Sequence, residues 1–174
     1  MYADRFQTPI GEMLAVVDER GALVRLEFLG ERRTAAESPP RDPGRCGRVV
    51  AQMAEYFAGR RRDFDLDLAP EGTAFQKQVW KELCRIPYGS RATYGQIARR
   101  IGRSNAVRAV GAANGANPIA VVIPCHRVVG SDGSLTGYGA GLPVKTWLLD
   151  HEAGLRRLPL GTPPSPLAEG RGEG

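Results

Sequence analysis

Two segments of the chain, Thr73-Ala74-Phe75-Gln76 and Thr93-Tyr94-Gly95-Gln96, carry the same four-residue pattern. In each, the threonine hydroxyl can accept from the backbone N–H three residues on, and the glutamine side chain can reach back to the threonine N–H. Two such boxes predict two helix starts and rule out an all-strand second half. Phe75, Val79, Leu83 and Ile86 recur at helical spacing, and Pro87-Tyr88-Gly89 stops the first helix. Ile97, Ala98 and Ile101 face inward on the second, and Gly102 suits its C-terminal cap. Ser104 is expected to cap a third helix from Asn105 to about Asn114.

Two short helices joined by Gly102-Arg103-Ser104 read as a helix-turn-helix, although an ordinary helical hairpin carries the same punctuation. The composition of the later helix, AVRAVGAANGAN, favours the first reading. Its residues are nearly all small, so its backbone can come close to another surface, and Arg108 can enter a groove or a base stack. Close, weakly sequence-specific approach to DNA through the minor groove is expected.

The first half reads differently. Leu14 to Val17, the turn Asp18-Glu19-Arg20-Gly21, and Ala22 to Leu29 form a hairpin signal. Residues 31–45 read as a loop, Val49 to Ala58 as a short helix, and Asp63 to Leu68, with alternating Phe64, Leu66 and Leu68, as a strand. Ala69-Pro70-Glu71-Gly72 is the expected domain boundary. The halves also differ in charge. Residues 1–72 hold 11 basic and 13 acidic side chains, a net of −2, whereas residues 73–152 hold 10 and 4, a net of +6. The second half is therefore the candidate nucleic-acid face, with a plain solvated basic surface as the competing reading. The tail, residues 158–174, is rich in Pro and Gly and is expected to be disordered.

No apolar run reaches the ~18 residues of a transmembrane helix. The start, MYADRFQTPIGEM, lacks the basic and apolar regions of a signal peptide, so a cytoplasmic protein is expected. Three widely spaced cysteines argue against a disulfide framework. Two histidines and no CxxC pair leave no zinc-ligand spacing, so neither metal nor cofactor is expected.

The chemistry concentrates in Asn117-Pro118-Ile119-Ala120-Val121-Val122-Ile123-Pro124-Cys125-His126-Arg127-Val128-Val129. An apolar run, expected as a buried strand, ends in Pro124, and a thiol, an imidazole and a guanidinium follow at once. A thiolate is the reactive form of cysteine, and a neighbouring imidazole or cation favours it. The loop from Gly130 to Gly141 follows, with Gly130, Gly133, Gly137, Gly139 and Gly141 among its twelve residues, and can wrap a planar ligand on which Tyr138 stacks. Val144 to Glu152 is expected as a final helix.

Together with Phe75-Gln76, Val79-Trp80, Ile86 to Gly89, Tyr94 to Ala98 and Arg108 to Gly111, this block resembles the O6-alkylguanine-DNA alkyltransferase family. The likeness is strong over about residues 73–152 and looser over Thr8 to Gly11 and Tyr56-Phe57. It implies a two-domain α/β (α+β) protein. Residues 1–69 would be an RNase H-like β-sheet domain with a helix. Residues 73–157 would be a mostly helical, winged-helix-like domain containing the helix-turn-helix.

The resemblance implies direct repair of DNA: irreversible, single-turnover transfer of an alkyl group from O6-alkylguanine, and from O4-alkylthymine, to Cys125 after base flipping. In this assignment His126 takes the thiol proton through a water, Glu152 orients His126, Asn117 holds the turn that presents Cys125, and Tyr94 hydrogen-bonds the leaving base. Arg108 fills the gap in the stack, beside Tyr94, Ala109, Gly111, Ala112 and Arg127 as DNA contacts. Tyr138, Gly139, Pro124 and Val128 line the base pocket. The implied partner is double-stranded DNA carrying O6-alkylguanine, met by a monomer able to self-associate cooperatively on DNA. The residues alone leave two alternatives open: a cysteine hydrolase, and a non-catalytic helix-turn-helix DNA-binding protein.

Overall fold

The computed structural model describes residues 1–30 and 38–155. Strands β1 (Tyr2–Thr8), β2 (Gly11–Val17) and β3 (Leu23–Phe28) form an antiparallel sheet in that order. The second turn closes because Asp18 Oδ1 accepts from the N–H groups of Arg20 and Ala22, while Gly21 takes a positive φ of 86°. β2 is central and buried on both faces. Met13, Ala15 and Val17 join the main core, and Leu14 and Val16 pack with Ala3.

Helix α1 (Pro43–Phe57) covers the sheet. It begins six residues before the expected Val49, because Asp42 accepts from Arg45 N–H and Pro43 sits in the first turn, where its missing N–H costs nothing. The loop expected over 31–45 therefore ends at Asp42; residues 31–37 of it, like the tail 158–174, lie outside the described residues. Asp63 to Leu68 is not a strand. It is irregular chain that touches the sheet by a single bridge, Leu23 with Leu68, and is held by Gln52, whose carboxamide exchanges hydrogen bonds with the Asp65 backbone.

Both predicted capping boxes form. Thr73 and Gln76 open α2 (Ala74–Leu83), and Thr93 and Gln96 open α3 (Tyr94–Arg100). Gly102 ends α3 with φ 74°. Helix α4 (Val107–Gly115) starts later than expected, and Ser104 does not cap it. The turn is closed by backbone instead, through Arg103 N–H to Ala98 O and Ala106 N–H to Arg103 O. Trp80 donates from Nε1 to Ala113 O at 2.8 Å and locks α2 to α4.

β4 (Ala92–Thr93) pairs in parallel with β5 (Val128–Val129), and α5 (Leu142–Glu152) closes the second half. α5 begins two residues before the expected Val144, after Gly141 at φ 99°. The result is a two-domain α/β chain, with a sheet in the N-terminal half and mostly helices in the C-terminal half. One apolar core runs through both, from Met13, Val49 and Met53 to Val79, Ile97, Ile123 and Leu148. Among the described residues, no helix is long and apolar enough to cross a membrane.

Candidate active site

The segment before Cys125 is not the expected strand. Pro118 has no N–H to give a ladder, and the Asn117 side chain captures the backbone instead. Its Oδ1 accepts from Ile119 N–H at 3.0 Å, and its Nδ2 donates to Ile119 O at 3.2 Å and Ile123 O at 2.8 Å. Val121 is pulled to φ 70°, and Val122 N–H bonds Ala120 O, a strained γ-turn with a β-branched residue at its centre. This knot ends in a single 3-10 turn, Cys125–Arg127. Cys125 is 6% exposed and lines a cleft of about 460 Å³. The cleft is also lined by Asn114 and Gly115 at the end of α4, by Asn117, by the Gly137–Ala140 stretch, and by Leu26 and Phe28 of β3.

Burial pushes the Cys125 thiol up, against the opposing pull of Asn117, Lys145 and Tyr138. The resting group is thus a thiol that needs a base. His126 stands next to it, fully buried, and its Nε2 meets Glu152 Oε2 at 2.7 Å. Burial lowers the His126 pKa, with Arg127 and Lys145 acting in the same sense and Glu152 opposing them. The imidazole is neutral, so its proton lies on Nε2, facing the carboxylate. Among the described residues Nδ1 has no hydrogen-bond partner, and it is the atom able to accept a proton.

Burial alone would raise the Glu152 pKa. Hydrogen bonds from His126 and Arg127, the charge of Arg127 and, once it is protonated, that of His126 outweigh it and hold the carboxyl well below the usual carboxylate range. Arg127 grips Glu152 with Nε at 2.7 Å and Nη2 at 3.1 Å, and its Nη1 donates to Ile86 O at 2.7 Å. Arg127 is therefore not a DNA contact as expected. Its guanidinium is buried and used up inside the site.

The other expected residues divide. Tyr138 and Gly139 line the cleft. Pro124 and Val128 do not; both are buried, Val128 in the β4–β5 pair. Tyr94 starts α3 at one edge of the site, and its hydroxyl accepts from Thr136 Oγ1 at 2.9 Å. Arg108, Ala109 and Ala112 are exposed on α4, and Gly111 sits where an added Cβ would come within 3.9 Å of the Tyr94 ring.

Three residues went unassigned in the sequence. Lys145 is buried and its Nζ donates to Val128 O at 2.7 Å and Thr136 O at 3.0 Å, clipping the glycine-rich loop to β5. Its place one residue after Val144 and two before Trp147 was the available signal. Asn114 Nδ2 donates to Cys125 O at 3.4 Å. Tyr56, on the apolar side of α1 with Met53 and Val49, donates to Glu152 Oε2 at 2.7 Å. A phenol on a buried helix face calls for such a partner.

The chain is similar to known proteins over most of its length. Two family models match: 6-O-methylguanine DNA methyltransferase, ribonuclease-like domain, over residues 1–70, and 6-O-methylguanine DNA methyltransferase, DNA binding domain, over residues 74–154. The chain is 51% identical over 154 residues to the methylated-DNA--protein-cysteine methyltransferase of Methanosarcina barkeri, covering 87% of this chain and 97% of that one. It is 41% identical over 167 residues to the protein of the same name from Salmonella typhimurium, covering 86% and 94%. Among solved structures it is similar to Mycobacterium tuberculosis OGT in complex with DNA, with a TM-score of 0.82, 44% identity and coverage of 88% of this chain and 94% of that one.

Proposed function

This chain belongs to the 6-O-methylguanine DNA methyltransferase family, and from that premise we propose how its own residues carry out the reaction. The activity is that of a methylated-DNA--protein-cysteine methyltransferase, direct repair of DNA in which the protein is itself the acceptor. We assign Cys125 as that acceptor. The observation that carries this is a thiol lining an open cleft, backed by a neutral imidazole whose far nitrogen is pinned to a carboxylate.

The steps follow from the geometry. The alkylated base leaves the duplex and enters the cleft between Asn114 and the Gly137–Ala140 stretch, where Tyr138 supports it. His126 Nδ1 takes the thiol proton through a water, and Glu152 stabilises the imidazolium. The sulfur attacks the alkyl carbon, the carbon–O6 bond breaks, and its electron pair stays on the base. Tyr94, whose oxygen already accepts from Thr136, keeps its O–H free to donate to that developing charge. The proton that His126 took from the thiol balances that charge, leaving a neutral base, a thioether and a neutral imidazole. A thioether has no readily hydrolysed bond, so each molecule reacts once. The same attack applies to O4-alkylthymine.

We read α3 and α4 as the helix-turn-helix of a winged-helix-like DNA-binding half, and the β1–β3 sheet with α1 as RNase H-like. The exposed, small-residue face of α4 lets the backbone approach a groove, and Arg108 occupies the space that the extruded base vacates. The protein acts as a monomer on double-stranded DNA containing O6-alkylguanine and can self-associate along it.

Intact-protein mass after mixing with duplex DNA containing O6-methylguanine tests the reading. A stable gain of one methylene mass on the Cys125 peptide is expected. Repeated turnover without a mass gain would point to the hydrolase, and binding without either to a non-catalytic DNA-binding protein.

A further inference from the structure

Glu152 is reached from both halves of the molecule. Its Oε2 accepts from His126 Nε2 at 2.7 Å and from the Tyr56 hydroxyl at 2.7 Å, and Tyr56 belongs to α1 of the N-terminal half. We propose that Tyr56 is a positioning residue for the transfer: its phenol donates to the same Glu152 oxygen as the His126 ring and so sets how strongly Glu152 holds that ring's proton. This rests on the assignment of Cys125, His126 and Glu152 given above.

A donor at a carboxylate oxygen stabilises the anion and weakens its pull on any other donor at that oxygen. With the phenol in place, His126 is easier to keep neutral and therefore available as the base. Without it, Oε2 turns more of its charge on Nε2–H, and the imidazolium forms at higher pH. The carboxylate itself would not drift, because Arg127 holds it independently with two hydrogen bonds. The change is then one of charge at Oε2 rather than of position.

Tyr56 is built to stay a donor. Its ring is fully buried and packed against Phe57, Phe64, Tyr88 and His151. Burial first, then the Glu152 anion, raises its pKa well above the usual phenol range, so it keeps its proton throughout any practical assay. Its backbone carbonyl is tied separately, to His151 Nε2 at 2.7 Å. The other groups facing the pair are Arg127 from the 3-10 turn, Lys145 from α5, Tyr138 from the glycine-rich loop, and Tyr88 with Arg62 above it. None is changed by removing the Tyr56 hydroxyl, so a difference between wild-type and Tyr56→Phe profiles reports the phenol.

The test is the single-turnover rate of methyl transfer from O6-methylguanine in a duplex oligonucleotide, at saturating protein, from pH 5 to 8.5. The acid limb, where His126 protonates and stops acting as base, is expected to move up by about 0.5–1 pH unit in Tyr56→Phe, a roughly three- to tenfold loss of rate at the acid end. Phe64→Leu, which loosens the same packing, should lower the melting temperature and leave the limb where it was. A Tyr56→Phe limb that coincides with wild type overturns the proposal, whatever the melting temperature does. Should Tyr56→Phe not fold, 3-fluorotyrosine at position 56 keeps the ring and is a stronger donor. It must move the limb to lower pH, and an unmoved limb is again fatal. Glu152→Gln, run alongside, separates the two levels of claim. If its limb also matches wild type, the His126–Glu152 relay is wrong; if it moves and that of Tyr56→Phe does not, only the role of Tyr56 falls.

Discussion

At the residue scale the site is an arrangement of burial against charge. Cys125 is a thiol at rest because burial outweighs its polar neighbours, and that makes transfer depend on a base. Cys125→Ser should abolish alkyl transfer, since a serine hydroxyl is far less acidic and less nucleophilic toward carbon, while DNA binding stays near wild type. Peptide mapping decides this, and a label on Cys84 or Cys46 would overturn the assignment. Glu152→Gln should slow transfer and also destabilise the fold by about 3–5 kcal/mol, because Arg127 is left buried without its counter-charge. Denaturant unfolding measures the second effect.

Stability should also fall on the acid side, with a sign that can be worked out. In the folded protein the His126 pKa lies below the ordinary 6.5 of a free imidazole and the Glu152 pKa below the ordinary 4.5 of a free carboxyl. In both cases the unfolded chain binds the proton more readily. The contribution of each is therefore complete above the unfolded value and is lost as pH falls toward the folded one. Melting temperature should start to drop below about pH 6.5 from His126 and drop further below about pH 4.5 from Glu152. In Glu152→Gln the lower of these steps should be missing.

At the element scale, two short pieces do most of the positioning. The knot at residues 117–123 has no regular hydrogen-bond ladder, so the Asn117 side chain stands in for one and satisfies three backbone groups. Asn117→Ala should cost about 1–3 kcal/mol for each backbone group left unmet by protein or water. It should also slow transfer, because the turn beneath Cys125 relaxes. A wild-type rate in a correctly folded Asn117→Ala would show that the turn holds itself. Helix α4 is the other piece. Arg108 is exposed, and no neighbour on its Ala- and Gly-rich face is long enough to replace it. Arg108→Ala should slow repair of duplex DNA strongly and transfer from free O6-methylguanine base little, since nothing needs flipping there. Arg108→Lys keeps the charge but not the planar group, and should rescue only in part. Equal slowing on both substrates, or full rescue by lysine, would reduce Arg108 to a phosphate contact.

At the scale of the whole molecule, the two halves share one core and are joined at the site itself by the Tyr56–Glu152 and Tyr56–His151 bonds. The described residues of both halves should therefore unfold as one cooperative unit. Both tryptophans, Trp80 and Trp147, lie in the C-terminal half. Met53→Ala in α1, a large-to-small change at a fully buried position, should cost about 2–5 kcal/mol and should move the tryptophan fluorescence transition as well as the circular dichroism one. A fluorescence midpoint that ignores Met53→Ala would mean the halves melt separately. The charge asymmetry belongs to this scale too. With a net of +6 over residues 73–152, DNA affinity should fall steeply with salt, and variants of exposed arginines there should flatten that slope by about one unit per lost contact.

What the sequence determined by itself was whatever depends on near neighbours in the chain. The two capping boxes form as written, because a Thr and a Gln three residues apart need nothing else to find each other's backbone. The hairpin at Asp18–Gly21 and the stop at Gly102 are equally local. Cys125 and His126 stood out because a thiol, an imidazole and a guanidinium follow one another directly after Pro124, whereas Glu152 was assigned to His126 only through the family resemblance, and the fold brings the two within 2.7 Å. What failed were readings that needed a distant partner. The apolar run 119–123 looked like a strand, but Asn117 captured its backbone first. Asp63 to Leu68 alternates like a strand, yet Gln52 on α1 holds it as irregular chain at the sheet's margin. Ser104 looked like a cap, but the turn closed through its own backbone. Arg127 looked like a DNA contact until Glu152, 25 residues away, claimed its guanidinium. Tyr56 showed nothing of its role, because the carboxylate it serves lies 96 residues along the chain and only the tertiary fold brings the two within a hydrogen bond.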